Sequence, residues 1–349
     1  MLSPPIEPML ARLSRELPAG AYFYEPKWDG FRCLAFVSSG VDLRSRHQRP
    51  LARYFPEVVG ALREVGRTEF VLDGELVIGG PSGFDFPALL GRLHPAASRV
   101  ERLAREMPAT FVAFDALAVS GEDVRERPFE TRRAMLEELL GRGKPGVVAT
   151  PITRELETAQ EWLRRFQGKG IDGVVAKHAA LLYQPGRRAM VKVKQERTAD
   201  CVLAGFRVAL DQPVVASLLL GLYDGDVLRH VGVSSSFPAK RRRELFEELL
   251  PLTCALAGHP WESGFNLGHS PVGRLAGSAG RWDPREMEQD WVPLRPERVC
   301  EVAYDQLDGQ RFRHPARLVR FRPDREPRSC GFEQLLVDAP DPGATLHLA

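Results

Sequence analysis

Apolar, β-branched runs alternate with helical periodicities along the first half of the chain. Residues 33–45 (CLAFVSSGVDLRS) read as a hairpin turning at Ser39-Gly40. Residues 70–78 (FVLDGELVI) are apolar and β-branched but broken by Asp73-Gly74, as two strand segments or one bulged strand would be. Residues 110–119, 172–177 and 190–194 predict three more strands. Helical patterns fall at 51–64, 129–141 and 155–168; in the last, Leu156, Ala159, Leu163 and Phe166 recur at close to helical spacing. Strands and helices mixed without regular βαβ alternation predict an α+β fold rather than a doubly wound sheet.

The pattern changes at the short polar stretch 195–200 (QERTAD), which predicts a boundary. Three strand-like runs follow at close spacing (CVLAGFRVAL, VASLLLGLY, VLRHVGV), then one helix at 239–250. A Gly/Ser/Pro-rich loop at 268–285 and strands at 298–305 and 316–322 complete the segment. Five strands with a single helix between them, in ~130 residues, fit a small Greek-key barrel of the OB type. The expected division is 1–197, 198–337 and a loose tail, 338–349.

Composition narrows the class. A chain of 349 residues suits two domains, and 44% hydrophobic with 27% charged residues is globular rather than disordered. No apolar run approaches the ~18 residues of a membrane span, and the N-terminus lacks a basic-then-apolar signal pattern. The five cysteines are odd in number and scattered, with no CxxC pair, so reduced thiols in the cytosol are expected. Membrane, secreted and zinc-ribbon classes are excluded. A net charge of +2 says little about partners. The cations are unevenly split, however: seven of 48 are lysine. Codon bias toward arginine explains most of that, yet the few lysines mark places where an amine is needed that can lose its proton and attack an electrophile.

The strongest chemical signal is Lys27-Trp28-Asp29-Gly30-Phe31-Arg32, preceded by Tyr24-Glu25-Pro26. Its ordinary reading is a surface lysine before an Asp-Gly turn. Further along lie Arg46, the acidic Asp73-Gly74-Glu75, Phe114-Asp115, then Asp172 and Lys177 at opposite ends of one strand segment. Lys192 and Lys194 share a face of the next strand, since side chains two apart point the same way. Each has a bland interpretation: strand-end carboxylates, a core phenylalanine, the wet face of an edge strand. One pocket would explain all of them together.

That pocket resembles the nucleotidyltransferase superfamily of ATP-dependent DNA ligases, RNA ligases and mRNA capping enzymes, whose six collinear motifs appear in order from residue 25 to 325. The resemblance is closest to the small bacterial ATP-dependent ligases of the ligase C type. It implies an α+β adenylation domain, built of antiparallel sheets with flanking helices, followed by an all-β OB-fold domain. By the same resemblance, Lys27 is the nucleophile that forms a covalent lysyl-AMP from ATP. AMP then moves to the 5′-phosphate of a nick in duplex DNA, and the 3′-hydroxyl displaces it. Glu25 would meet the adenine edge, Phe114 would stack on the ring, and Glu75 would bind the ribose or a metal. Arg32 and Arg46 would hold the ribose and the nick phosphate, and Lys177, Lys192 and Lys194 the nucleotide phosphates. Asp172 stands where the family usually has a glutamate as metal ligand. Arg322, Asp324 and Arg325 match its last motif, R-x-D-K, with arginine in place of lysine; they would orient the leaving pyrophosphate in the first step, the OB domain closing and then reopening. The resemblance also implies Mg2+ or Mn2+, a monomer, a prokaryotic cytoplasmic, nucleoid-associated location, and DNA repair proteins as associates in replication, repair or recombination.

An ordinary lysine, with a pKa of ~10.4, is neutral in roughly one molecule in 2,500 at pH 7. A second cation ~5 Å away, at an effective dielectric of ~20, offsets about 3 kcal/mol of that handicap. Lys192, Lys194 or a divalent ion could be that cation, and carboxylate and phosphate oxygens suit magnesium. Two alternatives stay open on sequence grounds: an RNA ligase or GTP-using capping enzyme, and a non-catalytic nucleic-acid clamp.

Overall fold

A computed structural model describes residues 2–66, 69–80, 83–141, 144–166, 170–194, 196–210, 212–264 and 291–336. The chain divides between residues 195 and 196 into two compact units. In the first, strands β1 (Leu10–Ser14), β2 (Tyr22–Trp28), β3 (Phe31–Val37) and β4 (Val41–Ser45) precede α1 (Pro56–Arg63) and β5 (Phe70–Gly80). A two-residue β6 (Gly83–Phe84), α2 (Phe86–Arg92), α3 (Ala97–Glu106), β7 (Ala109–Val119) and β8 (Glu122–Asp123) follow. Then come α4 (Phe129–Leu140), β9 (Val147–Ala149), α5 (Leu156–Arg165), β10 (Ile171–His178) and β11 (Arg188–Val193).

These strands form two sheets. One runs β1-β11-β10-β2; the other runs β4-β3-β5-β7-β8, with β6 on β5 and β9 on β7. Period-two alternation explains how β3 serves two cores. Cys33 and Ala35 pack with Phe55, Val58 and Leu62 on the helical side. Leu34 and Phe36 pack with Met9, Tyr183 and Met190, which belong to the other sheet and its flanks.

Of the two readings of residues 70–78, the bulged strand is correct. The register of β5 against β7 shifts between Val71 and Leu72 and again between Asp73 and Gly74. Gly74 is required there: a Cβ would lie 2.5 Å from Phe111 Cζ and 2.6 Å from the Val112 carbonyl oxygen. Phe114 sits within β7. Helices α2 and α3 are not signalled by the sequence patterns above. The first is short and opens on Phe86-Pro87, capped by the Asp85 carboxylate, which accepts from the Ala88 N–H at 2.9 Å.

In the second unit β12 (Arg197–Ala209), β13 (Gln212–Asp224) and β14 (Val227–Ser234) precede α6 (Ala239–Leu249). They are followed by β15 (Val292–Tyr304), the short pair β16 (Leu307–Asp308) and β17 (Arg311–Phe312), and β18 (Arg317–Phe321). The polar stretch read as a boundary is therefore strand from Arg197 onward, because main-chain pairing to β15 over Arg197–Leu203 overrides its polar side chains. The main sheet runs β14-β13-β12-β15-β18. A parallel bridge from Ser234 to Ala316 closes it: the Ala316 N–H donates to the Val233 carbonyl at 2.8 Å and the Leu318 N–H to Ser234 Oγ at 3.2 Å. Five strands in a barrel closed by this one parallel contact, with α6 burying Leu245 and Leu249 in its core, make an OB fold. The expected loop at 268–285 and tail from 338 lie outside the described residues. No helix among the described residues is long and apolar enough to cross a membrane.

Candidate active site

The first unit holds a cavity of about 320 Å³ whose walls come from β1, β2, β3, β5, β7, β10 and β11 and from Arg46 just after β4. Glu25, Lys27, Arg32, Arg46, Glu75, Phe114, Lys177 and Lys192, scattered over most of the unit's sequence, all line it. Strand geometry accounts for the convergence. Glu25 and Lys27 are two apart on β2 and share a face. The pairing of β10 with β2 slips between Ile171 and Val174, so Asp172 and Gly173 bulge out of the ladder. Gly173 holds φ +139°, and a Cβ there would strike the Val193 carbonyl oxygen. The bulge frees the Asp172 carboxylate to meet Lys27.

Lys27 Nζ donates to Asp172 Oδ2 at 2.6 Å, and Lys194 Nζ lies 2.7 Å from the same oxygen. The Lys27 side chain keeps 23% exposure, while Asp172 keeps 6%. Lys192 is pulled below the ordinary lysine value, first by partial burial and then by Lys27 and Lys194, which outweigh Asp172. On β5, Glu75 is pushed up to about 7 by burial, against the opposing pull of Arg32 and Lys27.

A second group occupies another part of the wall. Glu25 and Lys177 are 2% and 1% exposed. The Lys177 ammonium lies 2.9 Å from Glu25 Oε2 and donates to the Phe114 carbonyl at 2.7 Å. It also sits 4.5 Å from the centroid of Phe129 and 4.9 Å from that of Phe114. Burial raises Glu25 above the ordinary carboxylate range despite Lys177 and despite Arg133, whose Nη1 is 3.9 Å away. Arg133 is itself fixed by donating to Glu137 and to the Thr150 carbonyl, both at 2.7 Å.

Arg32 is bound before any ligand arrives. Its Nε and Nη2 donate to the two oxygens of fully buried Asp73 at 2.6 and 2.7 Å, and its guanidinium lies 4.5 Å from the Phe114 ring centroid. The Tyr183 hydroxyl donates to Asp73 Oδ2 at 2.6 Å and accepts from the Met9 N–H at 3.0 Å. Buried Asp73 thus has two partners, Arg32 and Tyr183. Tyr183 and Arg133, together with Arg188 and the N-terminal Pro8 and Leu10 on the cavity wall, are the contributors that sequence reasoning missed.

Arg322, Asp324 and Arg325 belong to the second unit. Arg322 donates through Nε and Nη2 to Asp324, at 2.9 and 2.7 Å, and through Nη1 to both oxygens of Asp200 at 3.1 Å. The bonded Arg322 holds the Asp324 carboxyl down at about 2.

Residues 1–194 match the ATP dependent DNA ligase domain, and residues 211–325 match the ATP dependent DNA ligase C terminal region. The chain belongs to the ATP-dependent DNA ligase family. Among this ligase's relatives, DNA ligase C2 of Mycolicibacterium smegmatis is 48% identical over 336 residues, covering 95% of this chain and 94% of that protein. DNA ligase C of Mycobacterium tuberculosis is 46% identical over 339 residues, with the same shares covered. A solved structure from the Lig E DNA ligases shares the fold, with a TM-score of 0.54 at 17% identity over 90% of this chain and 99% of that one.

Proposed function

We propose that this ligase seals nicks in duplex DNA with ATP, through a lysyl-AMP on Lys27. The observation that carries the reading is the Lys27 amine, partly open to the cavity and 2.6 Å from Asp172, on the wall that also presents Glu25, Phe114 and Glu75. Nζ attacks the α-phosphorus, forming the P–N bond as the bond to the pyrophosphate oxygen breaks. The proton that Nζ loses passes along its hydrogen bond to Asp172 Oδ2. Lys192 and Lys194 spread the charge that grows on the phosphates as pyrophosphate leaves. AMP is then passed to the 5′-phosphate of the nick, and the 3′-hydroxyl displaces it as the phosphodiester forms.

Within the cavity, Glu25 faces the adenine edge and Phe114 the ring, with Lys177 fixing Glu25 rather than reaching a phosphate. Arg32 and Arg46 serve the ribose and the nick phosphate. In the second unit, Arg322, Asp324 and Arg325 serve the step in which pyrophosphate leaves. The first unit, to residue 195, serves as the adenylation domain and the second, from Glu196, as the OB-fold domain, two residues ahead of the expected break.

Glu75 and Asp172 offer the hard carboxylate oxygens that a divalent cation takes, but among the described residues no three His, Cys, Asp or Glu are grouped to hold one, so the nucleotide phosphates would have to complete its shell. Bound there with the nucleotide phosphates, magnesium or manganese would supply charge neutralisation on the transferring phosphoryl group.

Labelling with α-labelled ATP and, separately, GTP tests the chemistry. Wild-type protein should gain a covalent mass of AMP from ATP alone, and Lys27→Arg, which keeps the charge but cannot deprotonate, should gain none. A Lys27→Arg protein that still forms the adduct refutes the assignment. Sealing of a singly nicked duplex with ATP and magnesium then separates a ligase from a nucleic-acid clamp.

A further inference from the structure

Asp200 lies outside every motif that the sequence signalled, yet two of the three residues matching the last motif converge on it. Arg322 Nη1 donates to both of its oxygens at 3.1 Å, and Arg325 Nε lies 3.3 Å from Oδ2. The carboxylate is 12% exposed. Its backbone is clamped from both sides by one side chain: the Asp200 N–H donates to Gln334 Oε1 at 2.9 Å, and Gln334 Nε2 donates back to the Asp200 carbonyl at 3.3 Å. It sits on β12, whose main chain pairs with both β13 and β15, opposite Glu301, which is occupied by Arg320 at 2.6 Å.

Arg322 is consequently a bound fork rather than an open one. Three of its nitrogens already donate to two carboxylates, Asp324 on one side and Asp200 on the other. A guanidinium held in this way fixes the direction of its neighbours more than it offers donors to a new anion. Each partner is anchored differently: Asp324 is exposed on a turn, whereas Asp200 is anchored in the barrel wall.

We infer that Asp200 is a positioning residue for nucleotide transfer: it ties Arg322 and Arg325 directly, and Asp324 through Arg322, to the barrel wall, so that the tip is preset for the step in which pyrophosphate leaves. This rests on the reading that residues 322–325 act in that step. A carboxylate that merely stabilised the barrel would affect every activity of the protein alike. One that presets the tip affects the first step alone.

The experiment compares two reactions of the full chain: formation of lysyl-AMP from ATP, and sealing of a nick that already carries AMP on its 5′-phosphate, without ATP. Asp200→Asn is nearly isosteric, keeps the backbone clamp and removes the charge. It should slow lysyl-AMP formation by at least about tenfold, the scale of a lost charge-assisted hydrogen bond, while sealing of the pre-adenylated nick stays within about threefold. Asp200→Glu, which restores the charge, should recover part of the loss. Equal losses in both reactions, or an unchanged first step, overturn the inference. Arg322→Ala is the control: if it leaves lysyl-AMP formation intact, the underlying reading of residues 322–325 fails and takes the inference with it. Arg322→Ala impaired with Asp200→Asn unimpaired sinks the inference alone.

Discussion

Replacing Lys177 with methionine isolates the electrostatics of the cavity wall. The ammonium and Glu25 are both almost wholly buried and 2.9 Å apart, which at an effective dielectric of ~20 is about 6 kcal/mol of attraction. Arg133, at 3.9 Å, supplies about 4 kcal/mol by the same measure and stays in place. Glu25 stripped of Lys177 has a cheaper course than remaining charged. Taking up a proton against an ordinary pKa of 4.5 costs about 2 kcal/mol at pH 6 and about 5 kcal/mol at pH 8. The loss is therefore capped by protonation and grows with pH. The folded variant retains a proton that the unfolded chain has released, so stability falls by up to about 1.4 kcal/mol per pH unit. These are ceilings, because burial already holds wild-type Glu25 above its ordinary value, and the extra slope begins only where the wild-type group has ionised. Urea unfolding of both proteins across about pH 5 to 8 measures the difference. Near pH 5 the two should nearly coincide, since methionine also spares the desolvation of an ammonium. A Glu25→Gln, Lys177→Met double variant should lose the extra slope. A stability difference that stays constant with pH, or a double variant that keeps the slope, would refute the reasoning.

The remaining expectations are briefer. Gly30→Ala would place a Cβ on the Leu76 carbonyl oxygen and 2.9 Å from Glu75 Cγ, so it should cost about 1–3 kcal/mol in melts and reduce AMP labelling by displacing Glu75. Glu75, raised from 4.5 to about 7, contributes stability that is full below its unfolded value and lost as pH rises to about 7, up to about 3 kcal/mol. Glu75→Gln should flatten that part of the pH–stability profile; an unchanged profile would show the group is not so perturbed. Asp115→Ala leaves the fully buried Arg132 without its two-pronged partner at 2.7 and 2.9 Å and should cost about 3–5 kcal/mol in unfolding, more than Arg132→Met with Asp115→Leu together. Nick affinity carried by backbone contacts should fall log-linearly with salt, and a binding constant unchanged between low and moderate salt would count against that mode of binding.

Much of the architecture was legible in local pattern. The hairpin at 33–45, the helix at 129–141 and the barrel strands are each set by periodicity within a dozen residues, and periodicity reports which face is buried. Lys27 stood out too, less from the Asp-Gly that follows it than from the ordered acidic, aromatic and lysine positions further along the chain. The strand inside the polar stretch was not legible: the break between the units does fall at its start, between 195 and 196, but Arg197–Asp200 is strand because its pairing comes from β15, far along the chain.

Residue types and their order were settled by the sequence: which side chains could bear a charge, attack phosphorus or stack on a ring, and which segments would be strand or helix. Tertiary structure alone decided who meets whom. Arg32 is bound to a carboxylate 41 residues away, and that carboxylate to a hydroxyl 110 residues further on; Glu25 is matched by an ammonium 152 residues distant. Such pairings leave no trace in local pattern, because burial strengthens charges and hydrogen bonds only after packing has removed the water between them.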